Sequence, residues 1–243
     1  MKRFIQLLST CLPRRHRAKP AAPWSASLVT WPTNGDRQTI FTHIHRSNHW
    51  GEPESLSGPG STVAYTENIR QELPRLWEQL GAKIILDAPC GDFNWFSKIP
   101  RNLGIQYIGG DIVNTLVQEN QTKYGDPKTT FIPFDIVSSP FPRADFWLCR
   151  DCLFHLPVVD VLISLRNYAT SQIPYLCTSH HPECKLNTDI ETGGFRQLNL
   201  ELPPFNLGKA ITYIDDWIEG YPQRQLALWH RQDVASALGL SAT

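Results

Sequence analysis

The chain has 243 residues, is 41% hydrophobic and 19% charged, and balances 23 Lys and Arg against 23 Asp and Glu. That is ordinary globular composition, long enough for one well-buried core, and it excludes intrinsic disorder and collagen-like order. A membrane-spanning helix needs about 20 consecutive apolar residues. The longest candidate, Phe4 to Leu12, is short and broken by Gln6, Ser9 and Thr10, so a soluble, cytoplasmic protein is expected.

The zero net charge hides an asymmetry. Lys2, Arg3, Arg14, Arg15, Arg17 and Lys19 precede the first acid, Asp36, which leaves the rest of the chain with 17 basic residues against 23 acidic ones. A basic start followed by a short apolar stretch reads as a targeting peptide or as a basic amphipathic helix making weak contact with an anionic membrane surface. The plainer reading, a flexible solvated arm over residues 1–40, is preferred because chain ends are usually loose. The acidic body has no basic stripe with interleaved aromatics, so no nucleic-acid partner is expected.

After the arm, residues 41–61 are rich in His, Gly, Ser and Trp with little apolar periodicity, and the expectation is a loop packing near the site. From about residue 62 to 243 strands and helices alternate. Ile69, Leu73, Leu76, Trp77 and Leu80 form a helical stripe ended by Gly81, with Pro74 expected to kink it or start its second part. Lys83 to Asp87 reads as a buried parallel strand, Phe93 to Ile99 as a short helix and Gln106 to Asp111 as a second strand. A helix over 113–124 follows, then a strand over 129–134, a strand from Ala144 to Cys149, a helix marked by Val158, Val161, Leu162, Leu165 and Tyr168, and a strand from Tyr175 to Ser179. This alternation predicts a doubly wound α/β sheet.

Ligands of such sheets sit outside the carboxyl ends of the strands. Those ends carry Asp87, Asp111, Asp135, Arg150-Asp151 and Ser179-His180-His181. Asp111 lies 20 residues beyond Gly91, the offset at which an acid ending the second strand bonds ribose hydroxyls. The first turn, Asp87-Ala-Pro-Cys-Gly-Asp-Phe93, lacks the glycines a diphosphate needs, and the acids at 87 and 92 would repel one. A cationic adenosine derivative fits better than a dinucleotide.

Ile84 to Phe93, Tyr107-Ile-Gly-Gly-Asp111, Phe134-Asp-Ile136 and Leu148-Cys-Arg-Asp-Cys-Leu-Phe-His-Leu156 together resemble the motif series of the class I S-adenosylmethionine-dependent methyltransferases, over roughly residues 61 to 243. Trp50-Gly-x-x-Glu-Ser-x-Ser-Gly-Pro-Gly-Ser61 resembles the N-terminal signature of one branch of that superfamily. The resemblance implies a Rossmann-like seven-stranded sheet, mostly parallel, whose antiparallel last strand Gln225-Leu-Ala-Leu-Trp229 would supply beside Ala210 to Ile214. It implies S-adenosylmethionine as cofactor, with Asp87, Ala88 and Gly91 at the methionine end, Asp111 and Ile112 at the ribose, Asp135 and Ile136 at the adenine, and Arg150 near the sulfonium. The chain departs from the family's Asp-x-Gly-x-Gly-x-Gly by carrying Pro89 and Phe93 at the outer glycine positions.

Methyl transfer from a sulfonium already has a good leaving group, so positioning carries most of the catalysis. For a hydroxyl acceptor the candidate bases are Asp151, His155 and His180. The acceptor is left open, a sugar or small metabolite among others, gripped by 41–61 and by Thr192 to Phe205, where Gly193 and Gly194 would hinge a lid. A catalytically silent adenosine-binding or protein-interaction module is the alternative on the same fold. Cys149-x-x-Cys152 with His180, His181 and Cys184 raises a zinc or redox reading, set below the plain one of reduced thiols, so no metal is expected. Replacing Asp111 by Ala is expected to weaken cofactor binding while barely changing stability.

Overall fold

The computed structural model describes residues 35–100 and 104–240. The basic arm up to residue 34 lies outside the described residues, so the readings made of it are not addressed. In chain order the elements are α1 (Arg37–Arg46), α2 (Glu67–Leu80), β1 (Ile84–Asp87), β2 (Gln106–Asp111), α3 (Asn114–Tyr124), β3 (Thr129–Pro133), β4 (Phe146–Cys149), α4 (Val158–Ala169), β5 (Tyr175–His180), β6 (Thr212–Asp215), β7 (Gln225–His230) and α5 (Arg231–Ala237). The seven strands form one sheet in the order β3-β2-β1-β4-β5-β7-β6. All neighbouring pairs from β3 to β5 are parallel, while β7 runs antiparallel to both β5 and β6. The expected doubly wound sheet with an antiparallel last strand is what forms.

Alternation along the central strands builds two cores. Leu86, Trp147, Cys149, Leu176, Ala227 and Trp229 face one side, with Val161 and Leu165 of α4 and Val234 of α5. Ile85, Phe146, Leu148, Cys177, Leu226 and Leu228 face the other, with Leu73 and Trp77 of α2 and Val117 of α3. Helices cover both faces, which is why these strands read as continuous apolar runs.

Three local expectations change. Residues 37–46, read as the end of a flexible arm running into a loop, form a helix, α1. Asp36 caps it by accepting the Thr39 amide at 2.8 Å, and only Ile40 and Ile44 are buried, too few apolar positions to show as a stripe. Phe93 to Ile99 contains just one 3₁₀ turn, Phe96–Lys98. Pro74 does not start a second part but sits inside α2, which ends in Gly81 at φ 66° as expected.

Candidate functional site

The turn after β1 shows how the chain manages without the usual glycines. Gly91 has φ 54°, and a Cβ there would strike the Ser57 hydroxyl oxygen, so any side chain would be strained and would displace Ser57. Phe93 takes the left-handed φ of 59° that a glycine would occupy without strain. Its ring is buried among Phe96, Tyr107, Tyr124 and Phe131, and that packing offsets the backbone cost.

The turn is held from both sides. Asp111 accepts the Gly91 amide at 3.0 Å and the Val113 amide at 3.0 Å. The Asp92 carboxylate accepts hydrogen bonds from the Ser55 and Ser57 hydroxyls and the Leu56 amide, and the Asp92 amide donates to Ser57 Oγ at 2.9 Å. Asn94 donates to Glu54 and to the Ser61 carbonyl. The segment from Glu54 to Ser61 is thereby stitched across the carboxyl end of β1.

Beneath that cover is a cavity of about 860 Å³, within the size range of small-molecule and cofactor sites. One end is bounded by Asp87, Gly91, Asp111, Ile112, Asp135 and Ile136, the carboxyl ends of β1 and β2 and the turn after β3. The other is bounded by Trp50, Phe154, His155, His181, Phe195 and Tyr221.

Asp87 is 2% exposed and accepts the Tyr107 hydroxyl at 2.8 Å. Burial pushes its carboxyl up to about 7 despite that bond and the positive charge of Arg150. Asp135 accepts the Val137 amide, the Ser138 hydroxyl and Arg37 Nη2 at 2.7 Å. Burial opposes its charge, but Arg37 and those hydrogen bonds hold its carboxyl below the usual range.

At the opposite end, His155 Nδ1 lies 2.6 Å from the Gly194 carbonyl. A carbonyl only accepts, so Nδ1 carries the proton and Nε2 is left as an acceptor. Burial lowers its pKa to about 4, so the imidazole is neutral at physiological pH. The ring packs 4.8 Å from Trp50 and 4.5 Å from Phe154. His181 has the other tautomer: its Nδ1 accepts the Leu198 amide at 3.2 Å, and burial lowers its pKa to about 4 as well.

Three comparisons bear on this geometry. The fold is similar to that of magnesium protoporphyrin IX methyltransferase (ChlM) from Synechocystis PCC 6803 with bound SAM, at a TM-score of 0.56 and 19% identity over 80% of this chain and 97% of that one. It is similar to the N-methyltransferase NodS from Bradyrhizobium japonicum WM9, at a TM-score of 0.53 and 11% identity over 69% of this chain and 96% of that one. No protein-family model and no curated protein matches the chain by sequence. The chain has the class I methyltransferase fold.

Within the methyltransferase fold, Asp87, Gly91, Asp111, Ile112, Asp135, Ile136 and Arg150 all line the cavity where the sequence puts them. Several expected roles need correction. Ala88 does not line it: its amide donates to the Leu148 carbonyl and its own carbonyl accepts Trp147 Nε1, so both polar groups are spent inside the sheet. Asp92, expected to favour a cationic ligand, is consumed by residues 55–57.

Arg150 makes a bidentate pair with Asp216 at 2.9 Å on each oxygen, donates to the Gly60 carbonyl at 2.7 Å and lies 3.2 Å from Asp151. Its donors thus hold the protein together and are not offered to a sulfonium. Asp151 is a poor base for the same reason. It has φ 52°, accepts the Ser179 hydroxyl, and is paired with Arg224 at 2.6 Å. Burial opposes its charge, but Arg150 and Arg224 outweigh it and hold the carboxyl below its ordinary range.

His180 is not in the cavity. Side chains alternate along a strand, so Ser179 and His181 face the site while His180 points to the other side, against Trp229 and Tyr213. This also separates the residues of the zinc reading, and among the described residues no cluster of three or more His, Cys, Asp or Glu is disposed to hold a metal. Of the expected bases only His155 remains. Reading the strand ends missed Arg37, Tyr65, Asp216 and Arg224. Arg37, Tyr65 and Arg224 sit in no motif, whereas Asp216 directly follows the end of β6 and carries the same strand-end signal as the other acids.

Proposed function

We propose that this chain is an S-adenosylmethionine-dependent methyltransferase. The observation that carries the reading is the row of acids at one end of the cavity, each at the carboxyl end of a strand or the turn after it: Asp87, Asp111 and Asp135. The buried Asp87 carboxyl, satisfied by one phenol, suits a cationic amino group, whose arrival would stabilise its charged form. Asp111 keeps Gly91 and Val113 in place and is the acid for the ribose hydroxyls. Ile112 and Ile136 would flank the adenine, and Asp135 with Arg37 closes that end.

When bound, the cofactor supplies an electrophilic methyl group on a leaving group that needs no protonation. The chain's contribution is then positioning, exclusion of water by the cover from Trp50 to Ser61, and handling of the acceptor's proton. His155 is the group for that last task. Its Nδ1–H bond to Gly194 fixes the ring, and Nε2 accepts the acceptor's hydrogen bond and takes its proton as the methyl group arrives.

The test is transfer of radiolabelled methyl from S-adenosylmethionine into the small-molecule fraction of a cell extract. Label transfer by the wild type, reduced at least about a hundredfold by His155→Ala, supports the reading. Tight binding of the cofactor without any transfer favours a silent adenosine-binding module.

A further inference from the structure

The acceptor end of the cavity has a chemical character that the cofactor end lacks. Leu56 is 39% exposed and Phe195 is 40% exposed, yet both line the cavity, so they stand at its mouth. Trp50, His49 and Tyr221, all half-buried, and the exposed Pro222 line it too. His155 lies inside this ring, 4.8 Å from Trp50 and 6.1 Å from Phe195 between ring centroids.

The arginines that line the cavity are already ion-paired. Arg37 is paired with Asp135 and Asp160, Arg150 with Asp216 and Asp151, and Arg224 with Asp151 and Asp216. No lysine lines the cavity among the described residues. His155 and His181 are neutral at physiological pH. Each of these arginines is already shared between two carboxylates, whose negative charge opposes a carboxylate or phosphate on the acceptor. A sugar would need a dense set of hydrogen-bonding side chains, and beside His49 and Tyr221 this mouth is mostly indole, phenyl, proline and leucine surface.

We propose that the methyl acceptor is an uncharged aromatic molecule bearing a hydroxyl group, seated against Trp50 and Phe195 with that hydroxyl at His155. This rests on the methyltransferase reading and narrows it. The aryl oxygen forms a bond to the methyl carbon as the carbon–sulfur bond breaks, the bonding pair leaving with sulfur. The hydroxyl proton passes to His155 Nε2 and then to solvent. Because burial makes His155 a weak base, an aryl hydroxyl is the suitable class: phenols release a proton near pH 10, whereas alkyl alcohols hold theirs far more tightly. His181 Nε2–H is a further polar group at this end and donates to an acceptor atom on the ring's substituents.

The experiment is calorimetric titration of the full chain, preloaded with S-adenosylhomocysteine, using phenol, 2-naphthol and 4-phenylphenol against 2-naphthoate, 2-naphthyl phosphate and glucose. At least one aryl hydroxyl should bind saturably, ten times or more tighter than either anion, and glucose should give no heat. Phe195→Ala, at an exposed position that leaves folding intact by melting temperature, should weaken that aryl hydroxyl at least tenfold, and Trp50→Ala likewise. Failure of S-adenosylhomocysteine itself to bind overturns the methyltransferase reading. If it binds while no aryl hydroxyl does, or while an anion or glucose binds as tightly, the acceptor assignment alone is overturned.

Discussion

Asp87 sets the clearest expectation for an individual residue. With its carboxyl near 7 in the free protein, a cationic amino group can pair with it only after the proton leaves, so cofactor binding releases that proton. The sign follows: affinity is full above pH 8 and falls as pH drops through 7. S-adenosylhomocysteine should bind about tenfold more weakly at pH 6 than at pH 8, and Asp87→Asn should bind weakly at both with no such slope. Calorimetry across that range checks it, and a flat wild-type profile would remove the amino group from Asp87. Asp111 shows what single-position reading misses. The sequence places it at the ribose, but its two carboxylate oxygens also secure the Gly91 and Val113 amides. Removing it frees two backbone donors, so Asp111→Ala is expected to lower stability as well as cofactor affinity.

Among the elements, β1 to β5 were legible as apolar runs and α2 and α4 as apolar stripes, with Gly81 ending α2 as a left-handed cap, whereas β6 and β7 came from the resemblance to the family. The cover from α1 to Ser61 was not legible, since its fold comes from polar contacts to residues far along the chain. Asp92 is the centre of that stitching, with the hydroxyls of Ser55 and Ser57 and the Leu56 amide on one carboxylate. Hydrogen bonds to a charged group are worth about 1.5 to 3 kcal/mol each. Asp92→Ala should therefore loosen the cover and weaken S-adenosylhomocysteine binding by about tenfold or more, with faster amide exchange at residues 55–61 as the direct readout. Unchanged exchange there would mean that other contacts hold the segment. The His180 and His181 pair illustrates the same limit: adjacent residues at a strand end are equivalent in sequence, and only the pleat decides which one enters the site.

For the whole molecule, the sheet order brings together the ends of β4, β5, β6 and β7, and at that junction Arg150, Arg224, Asp151 and Asp216 form a buried, charge-balanced network. Gly60 of the cover joins it through its carbonyl, and a Cβ there would lie 2.7 Å from Asp151 Oδ2. Taking one member away leaves an uncompensated buried charge, which costs about 3 to 5 kcal/mol. Arg150→Met should show that loss in denaturant unfolding, and a loss below about 1 kcal/mol would mean that water replaces the guanidinium. The network thus couples the cover, the sheet and the acceptor end, and the cavity between them is the feature on which the functional reading stands. Titration of the wild-type chain with S-adenosylhomocysteine at pH 8 tests it most directly. One saturable site per chain, with a raised melting temperature, is the predicted result. No heat and no melting shift at about 100 times a micromolar dissociation constant would contradict it.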